Sequence, residues 1–335
     1  MKLPKLITFE VTQRCNCRCE MCRFWSDESA CADTKELTIE EIKKIILNVK
    51  NFYNKYNEKL FFGITGGEPF LRKDIIEIFE FIKKEKIDYD VISNFSIPNK
   101  KVIKKLSKYP PNKLNISLDG IGDTHDLVRG RKIFDKIIEN ISLLRKFNSN
   151  IPIKINSTIN KKNINEISKM VLFAIENNFE LNFQHLNFVT PEILKKQKQF
   201  ENSIFNKTFF HEPTFYNLNK NEVKILEKEI KKARKIGLKN NYKFSFLPEL
   251  NINIFDWYLN PDKLITVTKC DPTRLRIKPN GELVHCERYV YGNLLKDDFE
   301  KAINSDEAKY FKNIIIKENM PFCNRCCLRF INYSE

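Results

Sequence analysis

Glycine is scarce in this chain. Only nine occur in 335 residues, at positions 63, 66, 67, 120, 122, 130, 237, 281 and 292. A chain this sparing keeps glycine where positive φ or a close backbone approach requires it. Neither G-x-x-x-x-G-K-[ST] nor G-x-G-x-x-G is present, which excludes the usual phosphate-cradling loops. No apolar run approaches the ~18 residues of a membrane span, and Met1-Lys2-Leu3-Pro4-Lys5 opens without a signal-peptide apolar stretch. A soluble, cytoplasmic protein without a membrane partner is therefore expected. Internal repeats and low-complexity tracts are also missing.

Lys+Arg 58 against Asp+Glu 43 leaves a net charge of +15. Such an excess suits nucleic acid, a membrane surface or an anionic substrate. Yet 45 of the 58 are lysines scattered with Asn and Ile along the chain, and no dense basic block marks a phosphate-tracking face. This argues against nucleic acid. With 42% hydrophobic and 12% aromatic residues the chain builds a sizeable core, so wholesale disorder is excluded.

Over the first ~190 residues short apolar runs alternate with amphipathic ones. Strands are expected at 6–12, 60–65, 89–93, 114–118, 151–158 and 181–188, with helices at about 38–54, 73–86, 99–108, 131–148 and 163–178. Thr38 with Glu41 three residues on reads as a capping box. Six alternations imply an α/β fold with a parallel sheet: a partial (β/α)6 TIM-like barrel, with its chemistry on loops leaving the C-terminal strand ends. Three regions follow: the barrel over 1–190, a connecting segment over 191–265 with a charged helix near 220–236, and a small α+β domain over 266–335. That last region opens on short strands about the turn Pro279-Asn280-Gly281.

Ten cysteines in a reducing compartment do not make a disulfide framework. Cys15, Cys17, Cys19 and Cys22 fall within eight polar, Arg-rich residues directly after the first expected strand, a segment unsuited to a core. Ligation is the better reading, and thiolates without histidine favour iron–sulfur or zinc.

The C-x3-C-x2-C spacing of Cys15, Cys19 and Cys22 resembles the signature of the radical SAM superfamily. There, three cysteines hold a [4Fe-4S] cluster whose open iron takes the amino and carboxylate groups of S-adenosylmethionine. Cys17 stands outside that pattern, while Met21 joins the expected cofactor-binding set. Gly66-Gly67-Glu68-Pro69 is similar to the family's loop for the methionine amino group. Ser93 and Asn94 match its nucleoside or methionine contacts. Ser117-Leu118-Asp119-Gly120, with Arg129-Gly130 downstream, resembles the S-x-D-G and R-G pattern. By that resemblance Ser117 and Arg129 hold the SAM carboxylate, Arg through a planar fork suited to it. Asn156, Thr158, Gln184, His185 and Leu186 correspond to strand ends near adenine and ribose.

Cys270, Gly281 and Cys286, then Gly292-Asn293-Leu294 and Cys323-x2-Cys326, resemble the SPASM and twitch auxiliary-cluster domains. The chain has only Cys327 beyond these, so the truncated twitch type with one auxiliary [4Fe-4S] cluster is implied, on Cys270, Cys286, Cys323 and either Cys326 or Cys327; the C-x2-C spacing favours Cys326.

The resemblance implies an oxidoreductase that uses a 5′-deoxyadenosyl radical to abstract hydrogen, supplied by a low-potential donor such as flavodoxin or ferredoxin. With no leader-binding domain ahead of residue 6, a small, sugar-like substrate is favoured over a peptide or protein. A zinc-binding RNA-associated protein is the alternative of another class. Cys31, Cys327 and Tyr or Arg residues of the 190–265 segment are spare hydrogen donors or bases, and no catalytic residue stands out among them.

Overall fold

The computed structural model describes residues 3–4, 6–22, 36–186, 188–205, 218–249, 253–261, 274–286, 289–318 and 320–326. Strands β1 (Leu6–Glu10), β2 (Phe61–Thr65), β3 (Asp88–Ser93), β4 (Lys113–Ser117), β5 (Ile153–Ile159) and β6 (Glu180–His185) alternate with helices. These are α1 (Ile39–Lys55), α2 (Ile75–Lys84), α3 (Lys100–Leu106), α4 (Asp123–Arg129), α5 (Phe134–Phe147) and α6 (Ile167–Glu176). The expected capping box is present: Thr38 accepts from Glu41 N, and the Glu41 side chain returns to Thr38 N. Helix α4 was not expected from the sequence. It is short, starts at Gly122, and ends on Gly130 at φ 66, a left-handed cap that glycine adopts without strain.

The segment after β6 is more regular than its sequence texture implies. It holds α7 (Pro191–Phe205), α8 (Lys220–Lys239), β7 (Ser245–Leu247) and α9 (Ile254–Leu259). Strand β7 pairs in parallel with β6, so the parallel run has seven strands in sequence rather than six. A three-residue strand lacks the length to show a period-2 pattern, which is why its sequence is silent.

Beyond it lie β8 (Arg274–Ile277), β9 (Glu282–His285), β10 (Tyr289–Asn293), α10 (Phe299–Ile303) and α11 (Asp306–Lys317). The β8–β9–β10 meander is antiparallel, as a small added domain would be, but β8 also pairs in parallel with β1. One ten-stranded sheet results, in the order β10-β9-β8-β1-β2-β3-β4-β5-β6-β7. Among the described residues the sheet ends at β10 and β7, which do not pair with each other.

The two faces of the sheet differ sharply. Ile7, Phe9, Phe62, Ile64, Leu114, Ile116, Ile153, Ile155, Leu181 and Phe183 are buried in one core with the apolar faces of the helices. The alternate positions are polar and mostly half-exposed: Thr8, Thr65, Asp90, Lys113, Ser117, Lys154, Asn156, Thr158 and Gln184. Strand alternation separates the two sets, because successive side chains point to opposite faces.

Candidate active site

The loop after β1 carries four of the cysteines and is fixed from three sides. Gly67 N donates to Thr12 O at 2.9 Å and Glu68 N to Arg14 O at 2.8 Å, joining it to the end of β2. Asn94 Nδ2, at the end of β3, donates to Asn16 Oδ1 at 2.8 Å and lies 3.5 Å from Cys17 Sγ. Beyond β4, Arg129 O accepts from Arg18 N at 3.1 Å and Arg131 donates to Asn16 O at 2.7 Å. Cys22 N closes a turn on Cys19 O at 2.9 Å.

The thiols are electrostatically unequal. Cys17, 1% exposed, donates to the sulfurs of Cys15 and Cys19, and those contacts with burial push its own pKa up. The Cys17 hydrogen bond, with help from the Arg129 guanidinium, holds Cys19 down at about 6 against burial. Cys15 is lowered chiefly by the same Cys17 contact. The downward shifts thus fall on Cys15 and Cys19, two of the three cysteines of the C-x3-C-x2-C set. Among the described residues no three His, Cys, Asp or Glu side chains close on a single-ion position. A cleft of about 330 Å³ beside Cys15 is lined also by Asn16, Arg18, Gly130 and Arg131. Its size is within the range of small-molecule sites.

Gly66 and Gly67 make their close approach to the cysteine loop. A Cβ on Gly67 would stand 2.5 Å from Gln13 O. Glu68, 0% exposed, joins strand ends: Oε1 accepts from Phe70 N at 3.1 Å and Ser93 Oγ at 2.7 Å, and Oε2 from Asn94 N at 2.7 Å. Burial pushes its pKa up to about 7 despite these donors. Pro69 opens a short 3-10 turn (Pro69–Leu71) that buries Phe70. Met21 lies with Glu20, Val128, Asn160 and Lys162 around a small crevice, where Lys162 pairs with Glu20 at 2.8 Å.

Ser117 and Asn156 are register neighbours on the polar face, and Thr158 and Gln184 likewise. His185 is on the opposite, apolar face: its Nδ1 meets Tyr258 Oη at 3.0 Å, and burial depresses it to about 3. Leu186 is buried just beyond. The structure therefore brings Ser117, Asn156, Thr158 and Gln184 to one face and turns His185 away from them. Asp119 is buried and faces Arg129, with Nη2 at 2.6 Å from Oδ2.

At the other cysteine station, Cys270, Cys31 and Cys327 lie outside the described residues. Gly281, at φ 85, makes the β8–β9 turn, with its N–H on Lys278 O at 2.9 Å. Cys286 follows β9. Val284 pairs with Arg276 and Arg274 with Leu6, so Cys286 stands level with the start of β1. The Cys15–Cys22 loop leaves from the other end of that strand. Cys323 sits on a 3-10 turn (Pro321–Arg325) and Cys326 caps its end, where Cys326 N donates to Cys323 O at 3.2 Å. Between them Arg325 stacks 3.7 Å from the Trp257 ring centroid and donates to Trp257 O and Phe188 O.

Sequence reasoning missed the groups that hold this arrangement: Asn16, Arg18, Arg131, Asn163 and the buried pairing of Glu10 on β1 with Arg276 and Lys278. None has a local signature: apart from Arg18, whose side chain donates to Cys15 O and Cys17 O, each acts through its side chain on a residue far away in the chain.

Parallel strands, a thiol-rich loop at the C-terminal end of the first, and a second cysteine station on an added meander define an iron–sulfur α/β-barrel enzyme. A family model of the radical SAM superfamily matches residues 9–174, and one of an iron-sulfur cluster-binding domain, SPASM, matches residues 270–327. The chain belongs to the radical SAM superfamily and carries a C-terminal SPASM domain. Its cofactors are S-adenosylmethionine, a [4Fe-4S] cluster and an auxiliary iron–sulfur cluster. The donor chemistry fits: clustered thiols lowered towards thiolate, with a guanidinium beside one of them.

Among curated relatives, the AdoMet-dependent heme synthase of Methanosarcina barkeri is 33% identical over 52% of this chain and 48% of its own length. The chain thus spans about half of that protein. A probable GTP 3′,8-cyclase of Pyrococcus horikoshii is 28% identical over 84% of this chain and 82% of its own. Among solved structures, Streptococcus suis SuiB superposes with TM-score 0.65 at 15% identity, covering 93% of this chain and 68% of that one. At that identity the likeness is one of fold.

Proposed function

We propose that this radical SAM enzyme oxidatively modifies a polar, anionic small molecule bound against the polar face of the sheet, between the two cysteine stations. Lys154 carries the reading. Its half-buried ammonium makes no hydrogen bond or ion pair with a described residue, and burial together with nearby Lys113 lowers its pKa. Lys113 pairs with Glu180 at 2.6 Å on the same face. A half-buried cation is costly; the Glu180 and Asp90 carboxylates act on it only at a distance and leave its pKa lowered, and an anionic substrate group would offset the remaining cost. Relatives named for GTP and for heme act on compounds with phosphate or carboxylate groups, which supports the same class.

In this reading Cys15, Cys19 and Cys22 hold the SAM-binding cluster, and Cys270, Cys286, Cys323 and Cys326 the auxiliary one. When bound, these groups supply hydrogen abstraction from an unactivated C–H bond and an acceptor for the electron left behind. The protein orients the substrate through Lys154 and excludes water from the reacting carbon. Ser117 and the Nε edge of Arg129 hold the SAM carboxylate. Asn156, Thr158 and Gln184 face the nucleoside. A low-potential flavodoxin or ferredoxin delivers the electron.

The fold of SuiB, solved with a precursor peptide, favours a peptide substrate as the second reading. Substrate-dependent release of 5′-deoxyadenosine from anaerobically reconstituted full-length protein separates the two. Phosphorylated or carboxylated small molecules should stimulate release, with Lys154→Met raising their KM tenfold or more. Stimulation by peptides alone would overturn the small-molecule reading, and zinc in place of iron and sulfide would overturn both.

A further inference from the structure

Arg129 is mostly buried and held from several sides. Its side chain is 13% exposed, with Nη2 at 2.6 Å from Asp119 Oδ2 and Nη1 at 3.7 Å from Cys19 Sγ. Asp119, 0% exposed, is locked in turn: Oδ1 accepts from Thr158 N at 2.6 Å, its carbonyl from Asn163 Nδ2 at 2.8 Å, and its N–H donates to His125 Nδ1 at 3.1 Å. Gly130 then passes so near the cysteine loop that a Cβ there would stand 2.8 Å from Arg18 O. The ends of β4 and β5 thus meet at Asp119, and its carboxylate aims one guanidinium at one sulfur.

We infer that Asp119 and Arg129 are positioning residues that set the reduction potential of the cluster held by Cys19. The inference rests on Cys19 being a ligand. Reduction adds one negative charge to the cluster and its thiolates. An N–H directed at a ligand sulfur, and a positive charge beside it, stabilise the reduced form and raise the potential. A buried carboxylate one bond further out acts in the opposite sense, and little water intervenes to screen either. The pair therefore sets the potential by opposing effects: Arg129 makes the cluster easier to reduce, and Asp119 fixes its direction while tempering its charge. This role differs from holding the SAM carboxylate, because it operates before SAM is bound.

The test is an EPR-monitored redox titration of anaerobically reconstituted full-length protein without SAM. The relevant signal is the one that changes when SAM is added to a parallel sample. Arg129→Gln should shift its midpoint to more negative potential, and Asp119→Asn to more positive potential, with iron content equal to wild type. Arg129→Lys, which keeps the charge but not the fork, should fall between wild type and Arg129→Gln. A structural role alone would not produce shifts of opposite sign. Shifts in the same direction, or no shift with iron retained, would overturn the inference. So would loss of iron in both Arg129 variants, which would make the residue part of the loop's fold. A SAM-responsive signal surviving in Cys19→Ala would instead remove Cys19 from the ligand set, a failure of the underlying assignment.

Discussion

Gly67 N donates to Thr12 O at 2.9 Å, so the end of β2 is fastened to the loop that carries the cysteines. The contact leaves no room for a side chain, since a Cβ would meet both Gln13 O and Arg14 O. Gly67→Ala should push that loop out of place. Iron and sulfide bound at the first cluster should fall at least several-fold while the far-UV spectrum stays that of the wild type. Full iron loading with unchanged SAM cleavage would show that the contact is dispensable.

Cys17 is buried beside Cys15 and Cys19, and its contacts with them push its pKa up. Single Ala variants at Cys15, Cys19 and Cys22 should each abolish dithionite-driven SAM cleavage, and Cys17→Ala should keep cluster and cleavage. Cleavage retained in Cys19→Ala would break the assignment, as would complete loss in Cys17→Ala with the cluster intact.

Ser117 ends β4 on the polar face, beside Asn156. A hydroxyl donating to a carboxylate contributes about 1.5–3 kcal/mol. Ser117→Ala should therefore weaken SAM binding by roughly ten- to a hundred-fold without loss of iron. Equal SAM affinity in calorimetry would move the carboxylate elsewhere.

A double Cys286→Ala, Cys323→Ala variant should lose about half the wild-type iron, because these thiols are proposed to hold only the auxiliary cluster. Abortive SAM cleavage should persist while the oxidised product disappears. Normal turnover by this variant would rule out an electron-accepting role for the auxiliary site.

His185 gives a pH dependence of known sign. Burial first, then Arg325 and Arg234, depress it to about 3, against an ordinary value of about 6.5. The stabilisation from its neutral ring is complete above pH 6.5 and is lost as pH falls towards 3, since the unfolded chain takes up the proton first. At pH 5 the loss is about 2 kcal/mol. In urea denaturation between pH 7.5 and 5, His185→Gln should lose less stability than wild type. Identical pH slopes would show that the ring is protonated in the native state.

Much of the barrel was legible because its strands and helices carry different periods. The 38–54 expectation is met by Ile39–Lys55, capped by Thr38, since amphipathic spacing and a capping box are local signals. Strand β7 and helix α4 were not legible: one has three residues and the other seven, too few to carry a period. The motifs named the site's chemistry, but not what each residue touches. Glu68 reads as a partner for an ammonium group, yet three donors from Phe70, Ser93 and Asn94 fill its environment. Gln184 and His185 read as neighbours at one strand end, yet strand alternation sends them to opposite faces.

By itself the sequence determined the thiol spacing, the glycines of the tight turns and the alternation of apolar and polar strand positions. Those properties fix donor chemistry and local conformation, and both are encoded within a few residues. Only the tertiary structure decided that Arg129 bridges Asp119 and Cys19, that β8 joins β1, and that Lys154 stands on the polar face with no hydrogen bond or ion pair to a described residue. Such relations join residues far apart in the chain, 266 positions in the Glu10–Arg276 pair. They depend on which strands become neighbours, and that is settled by the burial of one shared core rather than by any local pattern.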